Sequence, residues 1–154
     1  MGSRLTSARP SGGSRRRYNA GLARTAHLGD PPEELTRTLA AVREGLDAVL
    51  AVLTAGVSAA QVHRAWQDVL DAYGLEKPSR IGYSIGVGYP PDWGERTISL
   101  RAGESTLIPE NAVLHVMLGM WLDGWGMEMS ETVRITAAGS ECLTRFPREL
   151  HVVR

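Results

Sequence analysis

At 154 residues, 43% of them apolar, with seventeen basic side chains balanced by seventeen acidic ones, the chain is long enough for one domain with a real core. Its single cysteine, Cys142, excludes an internal disulfide and has no CxxC partner, so a secreted disulfide scaffold and a structural zinc site are not expected. A reducing cytoplasm is the expected setting, and the longest apolar stretch, residues 49–57, is broken by Thr54 and Gly56, so no membrane partner is expected.

Charge is unevenly spread, since Arg4, Arg9, Arg15, Arg16, Arg17 and Arg24 all precede the first acidic residue, Asp30. Such a start has the composition of a transit peptide or a nucleic-acid-binding arm. Lys77, however, is the only lysine beside sixteen arginines, which reads as a compositional habit, and no nucleic-acid partner is expected. Residues 1–14 are predicted to be a disordered lead-in, with the domain running from residue 15 to 154.

Residues 17–27 alternate as a strand and end at His27-Leu28-Gly29-Asp30-Pro31. A helix is predicted to follow, with Asp30 as N-cap, Pro31 in the first turn and Glu33 completing the capping box. Leu35, Leu39, Val42, Leu46, Val49, Leu50 and Leu53 share its apolar stripe, and Gly56 supplies the stop. Ser58 with Gln61 opens a second helix that turns Val62, Trp66, Val69, Leu70 and Tyr73 inward and ends at Gly74. His63 lies off that stripe and is predicted to be solvated.

The segment GYSIGVGYPPDWGE, residues 82–95, has no helical periodicity, and its Tyr83, Tyr89, Asp92, Trp93 and Glu95 could wall a polar, aromatic pocket. Gly82, Gly86 and Gly88 permit positive φ or close approach to the backbone, and Pro90 and Pro91 hold the chain extended. It reads as a rigid binding loop, or equally as a tight connection between strands. It is no dinucleotide fingerprint, because Tyr89-Pro90-Pro91 stands where a helix would have to begin.

Turns are predicted at Arg101-Ala-Gly-Glu and Pro109-Glu-Asn, and two strands follow. In residues 112–122, Leu114, Val116, Leu118 and Met120 alternate with Val113, His115, Met117 and Trp121. In residues 127–136, Met127, Met129, Val133, Ile135 and Glu131 oppose Glu128, Ser130, Thr132, Arg134 and Thr136. The fold class is therefore α+β, a sheet whose oily face lies under two long helices and whose polar face, with His115, Glu128 and Ser130, lines a cleft. Trp121 and Trp125 either wall a small ligand there or fill a half-buried sheet. His115 can equally be a hydrogen-bonded core histidine, and Glu128 a solvated strand residue.

The motifs RIGYSIGVGYPPDWGE (80–95), HVMLGMWLDGWGMEMSE (115–131) and ECLTRFPREL (141–150) give the chain a resemblance to the creatinase and aminopeptidase P superfamily, in its ectoine hydrolase and Xaa-Pro peptidase-like subgroup. The resemblance implies the C-terminal portion of a pita-bread fold, with the usual N-terminal domain and the opening of the catalytic domain upstream of Met1. Metallopeptidases of this superfamily bind two divalent ions through two Asp, one His and two Glu, but four of the matching positions here are Gly21, Tyr83, Met117 and Ser130. No metal or other cofactor is therefore expected. By resemblance to creatinase and the ectoine hydrolase-like proteins, the expected function is metal-independent cleavage of a C–N bond in a small cyclic amidine such as ectoine, or in an Xaa-Pro-like amide. His115 and Glu128 would do the acid–base work, with Tyr83, Tyr89, Trp93, Trp121 and Ser130 binding the small-molecule substrate. Glu131 has the family look but needs a β-bulge to reach the cleft, and Asn19 stands where relatives carry His. Homo-oligomers are usual in the family, and a truncated, inactive relative or a small-molecule binding module is the alternative.

Overall fold

The computed structural model describes residues 6–89 and 92–154, without the side chains of Arg9, Pro10, Tyr89 and Asp92. Ten elements follow one another: β1 (Thr6–Arg15), β2 (Tyr18–Leu28), α1 (Glu33–Val52), α2 (Ala59–Tyr73), β3 (Gly82–Tyr89), β4 (Asp92–Ser99), β5 (Val113–Leu122), β6 (Trp125–Thr136), β7 (Gly139–Cys142) and β8 (His151–Val153). The eight strands form one sheet in the order β1-β2-β3-β5-β6-β7, with β4 added to β3 and β8 to β2. All pairs are antiparallel except β2–β8.

The predicted lead-in is corrected: Thr6–Arg15 pairs with β2 over ten residues, from Thr6↔His27 to Arg15↔Tyr18. Its hairpin turn is Arg16-Arg17, with φ of 51° and 71°. Two consecutive positive φ values in a two-residue loop are the signature of a type I′ turn, which normally recruits Asn or Gly, so arginines there hide the hairpin. Residues 1–5 lie outside the described residues. The N-cap is corrected too. Helix α1 starts at Glu33 behind Pro32 (φ −66°, ψ 155°), with no side-chain cap, because a proline holds the residue before it out of the α region. Asp30 therefore sits too early to cap. Helix α2 has the predicted Ser58–Gln61 capping box and ends on Gly74 in the left-handed conformation.

Both helices cover the oily face. Leu35, Val42, Leu46, Val49 and Leu53 from α1 and Val62, Trp66 and Leu70 from α2 join Leu114, Val116, Leu118, Met120, Met127, Met129, Val133 and Ile135 in one core. Full burial of each such large aliphatic side chain contributes about 1.5–3 kcal/mol. The helices close tightly where Gly45 meets the edge of the Trp66 indole, leaving no room for a methyl group. His63 is buried rather than solvated, because Ala102 and Gly103 of the 101–104 turn come over that side of α2 and share a surface hollow with it. Its pKa is lowered, chiefly by burial and then by Arg64 and Lys77.

The glycine-rich segment is a β-hairpin, which answers to the expected tight connection between strands and not to the binding loop. Gly82, Gly86 and Gly88 are not among the positive-φ residues, and the hairpin is irregular, with register shifts between Tyr83 and Ile85 and between Ile85 and Tyr89. Two of its glycines serve close approach: a Cβ at Gly82 would stand 2.7 Å from the His115 carbonyl oxygen, and one at Gly86 would run into the Glu95 carboxylate. The expected roles of Pro90 and Pro91 and of the Tyr89 and Asp92 side chains fall outside the description.

The polar face is not an open cleft, which corrects the remaining architectural expectation. β2 and β3 share only the pair Tyr18↔Val87, so the sheet curls there and folds the β1–β2 hairpin over β6. Two threonines join the layers reciprocally. Thr132 Oγ1 accepts from the Gly21 N–H and donates to the Gly21 carbonyl, each at 2.8 Å. Thr25 Oγ1 does the same with Glu128, accepting at 2.9 Å and donating at 3.0 Å.

Candidate functional site

His115 stands at the centre of the enclosed polar face. Strand pairing places it beside Tyr83 of β3 and Thr132 of β6, and the alternation of β6 turns Ser130 toward it. Its Nδ1 is 3.0 Å from the Tyr83 hydroxyl and its Nε2 is 2.8 Å from Ser130 Oγ. Trp93 Nε1 donates to the Tyr83 hydroxyl at 2.8 Å, and both aromatic rings meet the imidazole edge-on. From the opposite layer, Gly21 fits because it lacks a side chain: a Cβ there would lie 3.0 Å from His115 Cε1 and Nε2. Gly12 of β1 likewise gives its space to the Trp93 indole. His115 is 1% exposed, and burial, outweighing the attraction of Glu131, lowers its pKa from 6.5 to about 4. At neutral pH the ring is uncharged, with one nitrogen donating and the other accepting.

The remaining predicted site residues fall elsewhere. Glu128 pairs with Gly119 and His115 with Thr132, so the two proposed acid–base groups are four residues apart along the strands, roughly 13 Å. Glu128 is 3% exposed, its Oε1 has no partner among the described residues, and burial raises its pKa against the opposing pull of Lys77. Lys77 is itself buried, donates to the Gly119 carbonyl at 2.7 Å and has its pKa lowered by burial. Trp121 is 63% exposed and lies over Gly126, away from His115. Trp125 packs against the core. Asn19 donates from Nδ2 to the carbonyls of Gly86 and Arg17, tying β2 to β3.

Glu131 does not reach the cleft through a bulge, for β5 and β6 pair without interruption from Val113↔Arg134 to Leu122↔Trp125. It is held instead by Arg24 at 2.6 Å, by Arg148 at 3.0 Å and by a short bond from the Thr144 hydroxyl. Arg24 was missed as a residue of consequence. Its Nε donates to the Pro147 carbonyl, Nη1 to the carbonyls of Ala23 and Ser130, and Nη2 to Glu131 and the Phe146 carbonyl, so every guanidinium N–H is committed. A basic residue inside a strand, opposite a carboxylate on an oily face, was the available signal.

Solved structures share this fold. Dipeptidase PepE from Mycobacterium ulcerans superposes with a TM-score of 0.84 at 27% identity, covering 96% of this chain and 40% of that one. The X-Pro aminopeptidase of Thermotoga maritima does so with a TM-score of 0.83 at 25% identity, covering 96% and 42%. The fold is thus that of one part of the pita-bread enzymes. By sequence the chain is 42% identical over 138 residues to an ectoine hydrolase of Halomonas elongata, covering 89% of this chain and 35% of that protein. It is 39% identical to an uncharacterized hydrolase/peptidase of Sinorhizobium fredii, covering 91% and 36%. The chain spans about a third of the length of these curated relatives.

The structure gathers the positions that the family resemblance assigns to metal ligands around His115: Gly21 against its ring, Tyr83 and Ser130 on its nitrogens, and Met117 paired with Ser130. None carries a carboxylate or an imidazole, and both nitrogens of His115 are already hydrogen-bonded. The donor set does not fit a pair of hard divalent cations, and among the described residues no group of three or more His, Cys, Asp or Glu could hold an ion. Residues 11–137 nevertheless match the model of metallopeptidase family M24 along most of the chain, and the chain belongs to that family.

Proposed function

We propose that this chain carries part of the active site of a metal-independent hydrolase that opens a C–N bond in a small cyclic amidine such as ectoine. The observation that carries the reading is His115, uncharged and clamped between two hydroxyls on the site where the resemblance puts the metal ligands. Hydrolysis of an amidine requires a proton to leave the attacking water and another to reach the departing nitrogen. A neutral imidazole hydrogen-bonded on both sides can relay a proton between its neighbours, taking one at one nitrogen as it releases one at the other. Glu128 is too far along the sheet to exchange protons with His115 and is assigned no part in that step. The 42% identity to an ectoine hydrolase supports the amidine over an Xaa-Pro-like amide.

A second reading, a ligand-binding or inactive relative, is favoured by the near-complete enclosure of His115. Incubation of the purified protein with ectoine, followed by chromatography of the ring-opened product and by calorimetry for binding, separates the two. Turnover that His115→Ala abolishes supports the hydrolase. Binding without turnover supports a binding module, and neither binding nor turnover leaves only the inactive relative.

A further inference from the structure

The hydrogen-bond polarity around His115 follows from burial. Ser130 is fully buried, and among the described residues the one partner of its hydroxyl oxygen is His115 Nε2. A buried hydroxyl proton left without an acceptor costs about 1–3 kcal/mol. Ser130 therefore donates to Nε2, the single proton of the neutral imidazole sits on Nδ1, and Nδ1–H donates to the Tyr83 oxygen at 3.0 Å. Trp93 Nε1, which can only donate, fills the second acceptor position of that same oxygen at 2.8 Å. Both lone pairs of the half-buried Tyr83 hydroxyl are then occupied, so among the described residues its own O–H has no acceptor inside the array. The Arg80 guanidinium, 4.7 Å above the ring centroid, steadies the ring from one face.

Resting on the hydrolase reading above, we infer that Tyr83 is a catalytic residue, the group that gives its hydroxyl proton to the departing nitrogen of the ligand. As water adds its oxygen to the amidine carbon, the C–N bond breaks and the nitrogen takes the Tyr83 proton; one proton of the water then restores the hydroxyl. The oxygen left in between keeps its two N–H donors, from His115 and Trp93, aimed at it throughout, so charge developing there meets dipoles already in place. His115, Ser130 and Trp93 act as positioning residues for this step.

Two measurements test it. In nitrogen-15 spectra of the neutral protein, with the four histidines assigned by single substitutions, His115 should be the Nδ1–H tautomer, and Ser130→Ala should weaken that preference; an Nε2–H tautomer in the wild type overturns the inference. With ectoine as the probe, Tyr83→Phe should lower kcat by about 100-fold or more at a KM within about twofold, with an unchanged far-ultraviolet circular dichroism spectrum. An active wild type with an equally active Tyr83→Phe overturns the role of Tyr83 alone. A wild type that opens no ring overturns the hydrolase reading and this role with it, while the tautomer measurement still decides the polarity.

Discussion

Acid should destabilise the protein through His115, by an amount that can be worked out. The folded-state pKa is about 4, against 6.5 for a free histidine, so between these values the unfolded chain binds the extra proton. Stability is fully present above pH 6.5 and falls as the pH drops toward 4. The loss due to this one ring is about 2 kcal/mol at pH 5 and about 3 kcal/mol at pH 4. Glu128 has the opposite sign, since its raised pKa favours the folded state when protonated and withdraws that contribution as the pH rises past the ordinary carboxylate range. Comparison with a variant removes that background. Urea unfolding of wild type and His115→Gln, at pH 7, 5 and 4, should show the wild type losing more stability than the variant by about the amounts above. Parallel losses for the two proteins would refute the argument, because they would mean that His115 titrates alike in the folded and unfolded chain.

Gly45→Ala should lower the melting temperature although it improves helix propensity by about 1 kcal/mol, because its methyl group must displace the buried Trp66 ring, an overpacking cost of about 1–3 kcal/mol; a stabilised variant would show that the two helices separate easily. Arg24→Met should cost at least about 3 kcal/mol in chemical denaturation, since it strands the buried Glu131 carboxylate and four backbone carbonyls; a loss under about 1 kcal/mol would mean that Arg148 and Thr144 suffice. Elemental analysis of protein purified without chelator should find manganese, zinc and cobalt far below one equivalent, and a stoichiometric metal would overturn the donor-set argument.

The helical half of the fold was legible in the sequence because its signals are local: the Ser58–Gln61 box, the Gly74 stop and two apolar stripes each lie within a few turns of chain. The sheet was legible only where alternation is long. Strands β5 and β6 show it, and the same alternation placed His115 and Ser130 on one face. What alternation cannot show is a second layer on that face, because the β1–β2 hairpin carries few apolar residues and is held by two threonine hydroxyls gripping backbone more than a hundred residues away. The buried site around His115 was therefore read as an open cleft. The same blindness let His63 pass as a surface residue, since the turn that covers it lies about forty residues further along the chain. Of the two uses expected of the glycines in residues 82–95, close approach holds at Gly82 and Gly86, which give clearance to His115 and Glu95, whereas positive φ does not occur at Gly82, Gly86 or Gly88.

The commitments of Arg24 bear on the order in which the molecule can assemble. Its partners at Glu131, Phe146 and Pro147 lie 107, 122 and 123 residues along the chain. During synthesis the β1–β2 hairpin and the two helices leave the ribosome long before these partners exist. Until then the arginine stays hydrated and the hairpin has no second layer to close on. Contacts of such separation slow folding, since the intervening chain must be ordered before they contribute. Closure of the chamber around His115 therefore waits on residues 131–147 and comes late in assembly.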